Sequence, residues 1–471
     1  MNGKTRMRVT LVALSLVVSA GMMGCETMTM ERGPTPPPKY AKFGPGKLIG
    51  VKPTKDNWHK LAWLEPQNTQ PYAPQGVAGR EGKFYVINTQ SDTVSVVDQK
   101  THRVLKTLKL DLESIKHLGF DIKKFKNIAK PHHAWIVPGG RYLYVGNESR
   151  EHDAVWVIDT RTDEIIDIHR AGMGKIETYG MLHGAFNPAE PMSYWGAVQD
   201  RKRGIVFVYD DTKLKPVGYI DTTEAGTQVR DIIWEGSGRY AFVFHQNKKK
   251  SHIAVVDHKT RQVIDVLTDH WGGGQATRTK DSRAVIGLSS RKDYASIIDV
   301  RTRKIVRKVS FKDIVPGKKS VPRNVSMGPK DKLAYVGLRK IGKGVAFDVD
   351  TGKIVAVFEC GKKANTIYIP PVANPKVGLF TNEAADFVTA IDLATNTKIK
   401  DIPTGNGSHN IAFSADGKVA GVSILKDDFV TLIDMEKLEV IADVKTGWGQ
   451  KGIRWVPYMP GLSSDNPYPK K

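Results

Sequence analysis

Between Gly82 and Leu110 the chain alternates short apolar and polar runs, GKFYVINTQSDTVSVVDQKTHRVLKTLKL. Phe84 to Ile87 is aromatic and β-branched, Asn88 to Asp92 is polar and turn-like, and Thr93 to Asp98 alternates. Gln99 to Thr101 turns again, and Arg103 to Leu110 alternates once more. Alternation of period two broken by turn residues predicts the three strands of a β-meander. One meander cannot bury both of its faces, so further copies are expected beside it.

The copies recur along the whole chain. Each ends an apolar strand on an aspartate followed by a turn: Asp98, Asp159, Asp210, Asp257, Asp299, Asp348, Asp392 and Asp434, at spacings of 42 to 61 residues. A four-stranded propeller blade takes roughly 40–50 residues. The pattern therefore predicts an all-β, eight-bladed β-propeller over residues 76–457, with seven blades as the alternative. The aspartates read as turn builders whose carboxylates accept nearby backbone N–H groups, not as catalytic acids.

A fourth strand precedes most meanders, as in Ala134–Pro138, Ile232–Glu235 and Ile411–Ala415. The meander at Gly82 has none before it. Gly452–Pro457 has that strand's pattern and no meander after it, so it is expected to close the ring and leave no open sheet edge. Between the first two blades, residues 111–130 place Leu112, Ile115, Leu118, Ile122, Phe125 and Ile128 among lysines. That spacing predicts a short amphipathic helical insertion, expected to pack on the propeller.

Aligned on their ends, the eight fourth strands begin with two columns of residues. The first is His132, Leu182, Arg230, Gly274, Arg323, Asn365, His409 and Lys451; the second is His133, His183, Asp231, Gln275, Asn324, Thr366, Asn410 and Gly452. Polar groups here interrupt an apolar pattern at one structural level. His132, His133, His183, Arg230, Arg323, Asn365, His409 and Lys451 are thus ligand-binding candidates at the rim of the channel. His132, His183 and His409 are of a type that ligates a metal or haem iron, and the arginines suit carboxylates. A macrocycle with acidic side chains or an anionic substrate would fit that set, and so would a wet channel with no ligand. His132 and His133 are adjacent, so on a regular strand they are expected on opposite sides. No HxxxH or HExxH spacing is present.

The ends of the chain add a location. Lys4, Arg6 and Arg8 precede an apolar run from Val9 to Ala20 and a Met22-Met23-Gly24-Cys25 segment. The basic and apolar runs predict an export signal. Met22–Cys25 resembles the lipobox of bacterial lipoproteins, which implies a lipoprotein signal peptide over 1–25 with Cys25 lipidated, on the periplasmic side of a bacterial membrane, the outer one favoured. Residues 26–75, with Pro34, Pro36, Pro37 and Pro38, read as a stiff tether, and 458–471 as a polar tail. The net charge of +22, from 71 Lys and Arg against 49 Asp and Glu, points to anionic envelope components or other periplasmic proteins as partners. Export excludes nucleic acid. A monomer is expected. If Cys25 carries lipid, only Cys360 remains of the 2 cysteines, so no internal disulfide is expected. Cys360 follows an apolar strand and reads as a small hydrophobe. No CxxCH or nucleophile elbow occurs, and Gly-rich loops such as Gly447-Trp448-Gly449-Gln450 lack the strand–helix context of a phosphate-binding fingerprint.

Tyr85-Val86-Ile87-Asn88, Tyr144-Val145-Gly146-Asn147 and Tyr335-Val336-Gly337-Leu338, each leading to an Ile/Val/Phe-Asp turn, resemble the YVTN-type propeller repeats of exported, YncE-like bacterial proteins. The resemblance implies the propeller fold over Gly76 to Pro457. The same superfamily holds the eight-bladed d-type haem domain of nitrite-reducing cytochromes, which makes a d-type haem a candidate cofactor. No axial ligand is carried over, because the motif itself is structural. The functions in competition are a lipid-anchored ligand-binding or protein-interaction scaffold and a tetrapyrrole-binding, maturation or redox protein. Neither assigns a catalytic residue.

Overall fold

The computed structural model describes residues 81–458 apart from 112, 120–129, 138–139, 149–153, 171–178, 189 and 211–214. The expected signal peptide with Cys25, the tether, and the tail beyond Tyr458 lie outside the described residues.

The alternation at the start of the repeats produces three strands, Gly82–Asn88, Thr93–Asp98 and Val104–Lys109. They pair antiparallel, with Tyr85 opposite Val96 and Val96 opposite Lys106. Seven further sheets of four antiparallel strands follow, and the eight blades form an all-β propeller. The first strands of successive blades touch one another and so surround the axis. These are Pro131–Ile136, Tyr179–Asn187, Val229–Trp234, Ala276–Arg278, Pro322–Met327, Ala364–Tyr368 and Ser408–Phe413, with Gln450–Pro457 as the eighth.

Burial follows position in the blade. The first three strands of most blades are almost wholly buried, whereas fourth strands such as Val104–Lys109 and Lys304–Ser310 are mostly exposed. Large side chains including Trp156, Trp195, Trp234 and Phe207 fill the space between blades. Each such side chain stabilises the ring by roughly 1.5–3 kcal/mol.

Ring closure is as the pattern predicts. Gln450–Pro457 pairs with Gly82–Asn88, placing Trp455 opposite Phe84 and Ile453 opposite Val86. Trp455 Nε1 donates to Gln99 Oε1 at 2.7 Å, and the Tyr458 hydroxyl donates to Asp98 at 2.5 Å. The C-terminal strand is therefore clamped to the first blade by side chains as well as by the ladder.

The repeat aspartates build turns. Asp392 accepts the N–H groups of Ala394 and Thr395, both at 2.8 Å, and the Thr395 hydroxyl at 3.0 Å. Asp299 and Asp348 hold Thr302 and Thr351 the same way. The residue that follows takes a left-handed conformation, as in Arg303, Gly352 and Asn396, which returns the chain into the outer strand. The turn after Asp210 lies outside the described residues.

Of the insertion, residues 120–129 lie outside the described residues, and Glu113–Leu118 forms a short 3-10 helix, the helical insertion expected there. Its Ile115 is fully buried against the core of the first two blades, so the described part packs on the propeller flank. Cys360 is half-buried against the core that contains Phe358 and Phe380. Burial pushes its thiol pKa far up, so it carries no thiolate at neutral pH.

Candidate functional site

The inner strands do not begin as regular strands. In blade two, Pro131 pairs with Asn147 and Ala134 with Val145, so His132 and His133 together face one residue of the neighbouring strand. The same two-against-one arrangement holds Arg323 with Asn324, Asn365 with Thr366, and His409 with Asn410. Arg230 and Lys451 are skipped by the ladder in their own strands. These are β-bulges, which re-aim side chains. They break the alternation, so the expectation that His132 and His133 point apart is wrong: their ring centres are 4.3 Å apart.

The backbone ahead of each bulge is also shared. Two residues before the first-column position, Lys130, Gln228, Val321 and Lys363 have φ values of 68, 57, 56 and 59°. Their carbonyls accept the N–H of Glu148, Gln246, Arg339 and Glu383, at 2.7, 3.1, 3.2 and 3.2 Å. A left-handed conformation at a β-branched residue such as Val321 is strained and persists only where the surroundings enforce it. The outcome is one rim geometry, repeated around the ring, that aims the bulge side chains at the channel mouth.

There they converge. His132, His133, His183, Arg230, Arg323, Asn365 and His409 line one cavity of about 50 Å³, with Gln275, Asn324 and Asn410 of the second column. His133 and His183 have ring centres 4.9 Å apart, and His132 and His409 6.4 Å. Lys451 does not line the cavity. Its ammonium pairs with Glu148, and its carbonyl accepts His409 Nδ1 at 2.8 Å and Asn410 Nδ2 at 2.7 Å. Leu182 and the column glycines bring no polar side chain.

Three participants escape the sequence columns. Glu383 lines the cavity, contacts Arg339, and lies 3.8 Å from His409 Nε2. Glu148 lies 3.4 Å from His132 Nε2. Glu148, Arg339 and Glu383 each follow the second strand of a blade, directly after Asn147, Leu338 and Asn382. The signal was the residue after each Tyr-Val-x-Asn-like run.

Burial dominates the electrostatics. It holds the His409 imidazole down at about 4, against the pull of Glu383. It also holds His132, His133 and His183 well below their ordinary value, reinforced by His133, His409 and Arg230 respectively. All four rings are neutral at pH 7. Burial, then repulsion from Arg323, lowers Arg230. Burial opposes ionisation of Glu383, but His409 when protonated, together with Arg339, holds its carboxyl below the usual range.

Several buried polar atoms around this cavity have no partner: His132 Nδ1, His183 Nε2, Arg230 Nε, Gln275 Oε1, Asn324 Oδ1 and Asn365 Nδ2. Such atoms are normally satisfied, and each one left alone costs about 1–3 kcal/mol. Among the described residues no group of three or more His, Cys, Asp or Glu side chains is arranged to hold a metal ion. A tetrapyrrole does not fit within the cavity either, since pockets for molecules of drug size run to about 300–1,000 Å³.

The fold has solved counterparts. Hydrazine synthase of Kuenenia stuttgartiensis superposes with a TM-score of 0.50 at 16% identity, covering 76% of this chain and 99% of that one. Apo AztD from Citrobacter koseri gives 0.56 at 11% identity, covering 80% and 98%. Dihydro-haem d1 dehydrogenase NirN in complex with DHE gives 0.54 at 12% identity, covering 86% and 83%. At these identities the likeness defines the chain as a β-propeller and goes no further. No protein-family model and no curated protein sequence matches it.

Proposed function

We propose that this chain is an exported, lipid-anchored, ligand-binding β-propeller of the bacterial cell envelope, taking a small polar ligand into the cavity at its channel mouth. The observation that carries the reading is the set of six unpartnered polar atoms around one cavity. Bulged polar residues from most of the blades converge on this one point, and donors and acceptors that no protein group takes up are open to a ligand there. The Met22–Cys25 segment supports the anchor, and the YVTN-type repeats support the envelope setting.

The test is a thermal-shift screen of the full-length protein against small charged and neutral polar compounds, repeated with His183→Ala and Asn365→Ala. Stabilisers that act on the parent protein and not on the variants are expected. A parent protein that no compound stabilises overturns the reading. Cell fractionation of Cys25→Ser checks the anchor, which predicts its release from the membrane fraction.

The d-type haem alternative draws on the superfamily resemblance and on the likeness to NirN, solved in complex with DHE. Because the cavity excludes a macrocycle, we derive no haem chemistry from these residues.

A further inference from the structure

The ligand class follows from the charges, given the binding cavity proposed above. Side-chain amides and imidazoles can present either a donor or an acceptor, so Gln275, Asn324, Asn365 and the histidines adapt to many ligands. Guanidinium groups can only donate and stay positive. Lys451 is paired with Glu148 and Arg339 with Glu383. Asp231, next to Arg230, has its carboxylate oxygens on the backbone N–H groups of Ile232 and Ala276, both at 3.1 Å. That leaves Arg230 and Arg323.

Among the described residues neither guanidinium forms an ion pair. Arg230 is 7% exposed and its Nε is unpartnered. The side chain of Arg323 makes one hydrogen bond among the described residues, to the Gly273 carbonyl at 3.4 Å. Arg230 is buried and Arg323 partly so. Although Asp231 and Glu383 favour the charged forms, burial outweighs them and holds both guanidiniums below their ordinary value. Glu383 contacts Arg339 directly and attracts Arg230 and Arg323 without contacting them. Three guanidiniums, Arg230, Arg323 and Arg339, therefore face the two carboxylates Asp231 and Glu383. A cation in this cavity would worsen the imbalance, and a neutral ligand would leave it in place.

We infer that the cavity is an anion site, and that its ligand is a small oxyanion gripped by Arg230 and Arg323, with His183 Nε2 and Asn365 Nδ2 as further donors. Gln275 Nε2 lies 3.2 Å from His183 Nδ1. With the amide nitrogen donating there, the neutral ring carries its proton on Nε2, the unpartnered atom. The volume of about 50 Å³ is several times the roughly 10–15 Å³ that one water needs. It therefore suits an anion of about three to five heavy atoms. A free inorganic oxyanion and the carboxylate of a small organic acid share this chemistry.

The test is calorimetric titration of the full-length protein at constant ionic strength with phosphate, sulfate, hydrogen carbonate, formate and acetate, and with zinc and glycerol as cationic and neutral comparators. At least one oxyanion is expected to bind. Arg230→Gln and Arg323→Gln are each expected to weaken it tenfold or more, and Lys249→Gln, in an exposed loop, to leave it unchanged. Preference for formate and acetate assigns a carboxylate; preference for the others assigns an inorganic anion. A second readout does not depend on affinity. With no anion present, Arg230→Gln should melt no lower than the parent protein, and should lose the anion-induced rise in melting temperature. A variant that melts well below the anion-free parent makes Arg230 a structural residue and overturns the proposal. Heat from zinc or glycerol with none from any oxyanion overturns the anion assignment and leaves the binding cavity standing. Silence from every probe overturns the anion site, and the wider screen above then decides the cavity.

Discussion

His132 and His133, neighbours in the chain, hold their imidazole rings 4.3 Å apart in the wall of one cavity. The bulge between Pro131 and Ala134 is the cause. It converts a strand that would split the pair between two faces into a short arc that gives both to the channel mouth. Because the same bulge recurs around the ring, the site depends on backbone geometry that other residues must leave room for.

Gly337 is one of those residues. It stands opposite the bulge of Arg323 and Asn324, and a Cβ added there would overlap the backbone carbonyl of Asn365 in the next blade. Gly337→Ala must therefore push two rim segments apart. The expected cost is about 1–3 kcal/mol of stability, read by urea denaturation, together with weakened ligand binding. Gly317→Ala, where an added Cβ meets nothing within 4 Å but the left-handed φ of 73° strains any side chain, is the control for binding: it too loses stability, without moving the rim.

The closing strand gives a second prediction. Trp455 is 4% exposed and joins the first-blade core, with its indole N–H on Gln99. Trp455→Ala should cost about 3–5 kcal/mol. A chain truncated before Gly452 should be cut by protease first within residues 81–110. First cuts in the last meander, Val419–Lys445, would contradict the closure.

The propeller was readable because its signal is repetition: an apolar strand, a turn, and an aspartate whose carboxylate fixes that turn. The two columns were readable because polar residues interrupt apolar strands at one level when the inner strands are aligned on the Gly-containing turns that end them. The meeting of His132 with His133 was not readable, since a bulge exists only in the pairing of two strands. Glu148 and Glu383 were hidden for a related reason: each reaches the rim from a blade's second strand, while the columns followed the first. The volume of the cavity, which separates a small anion from a macrocycle, depends on packing around the whole ring and has no local signature.

The size of the cavity predicts a spectroscopic result. Haem added to the full-length protein should give no Soret shift that depends on His132, His183 or His409. A shift abolished by substituting one of these histidines would show that the mouth opens wide enough for a macrocycle.

The turn aspartates predict behaviour in acid. Hydrogen bonds from the Thr395 backbone N–H and hydroxyl hold the Asp392 carboxyl below its usual value. Its contribution is then present above the unfolded pKa of about 3.9 and lost as pH falls through the lower folded value. Asp392→Ala should cost about 1 kcal/mol at pH 7, and the difference from the parent protein should shrink below about pH 4. The measurement is urea denaturation at a series of pH values.

The buried histidines act in a higher window. Burial holds His409, His245 and His258 at about 4 and His270 at about 3. His132, His133 and His183 are held well below the ordinary value as well. In the unfolded chain each ring titrates near 6.5. Above that value neither state binds the proton and the rings have no effect on pH dependence. As pH falls from about 6.5 toward 4, the unfolded chain takes up protons that the folded protein refuses, so stability is lost throughout that range. Each such ring contributes a slope of about 1.4 kcal/mol per pH unit. Denaturation free energies measured from pH 7 to 4.5 should fall steadily, and His409→Gln should reduce the slope by about one proton. Stability that stays flat between pH 6.5 and 4.5 would mean that these rings titrate in the folded protein. In that case water reaches the cluster, and the arginines beside it are less starved of a counter-charge than their burial implies.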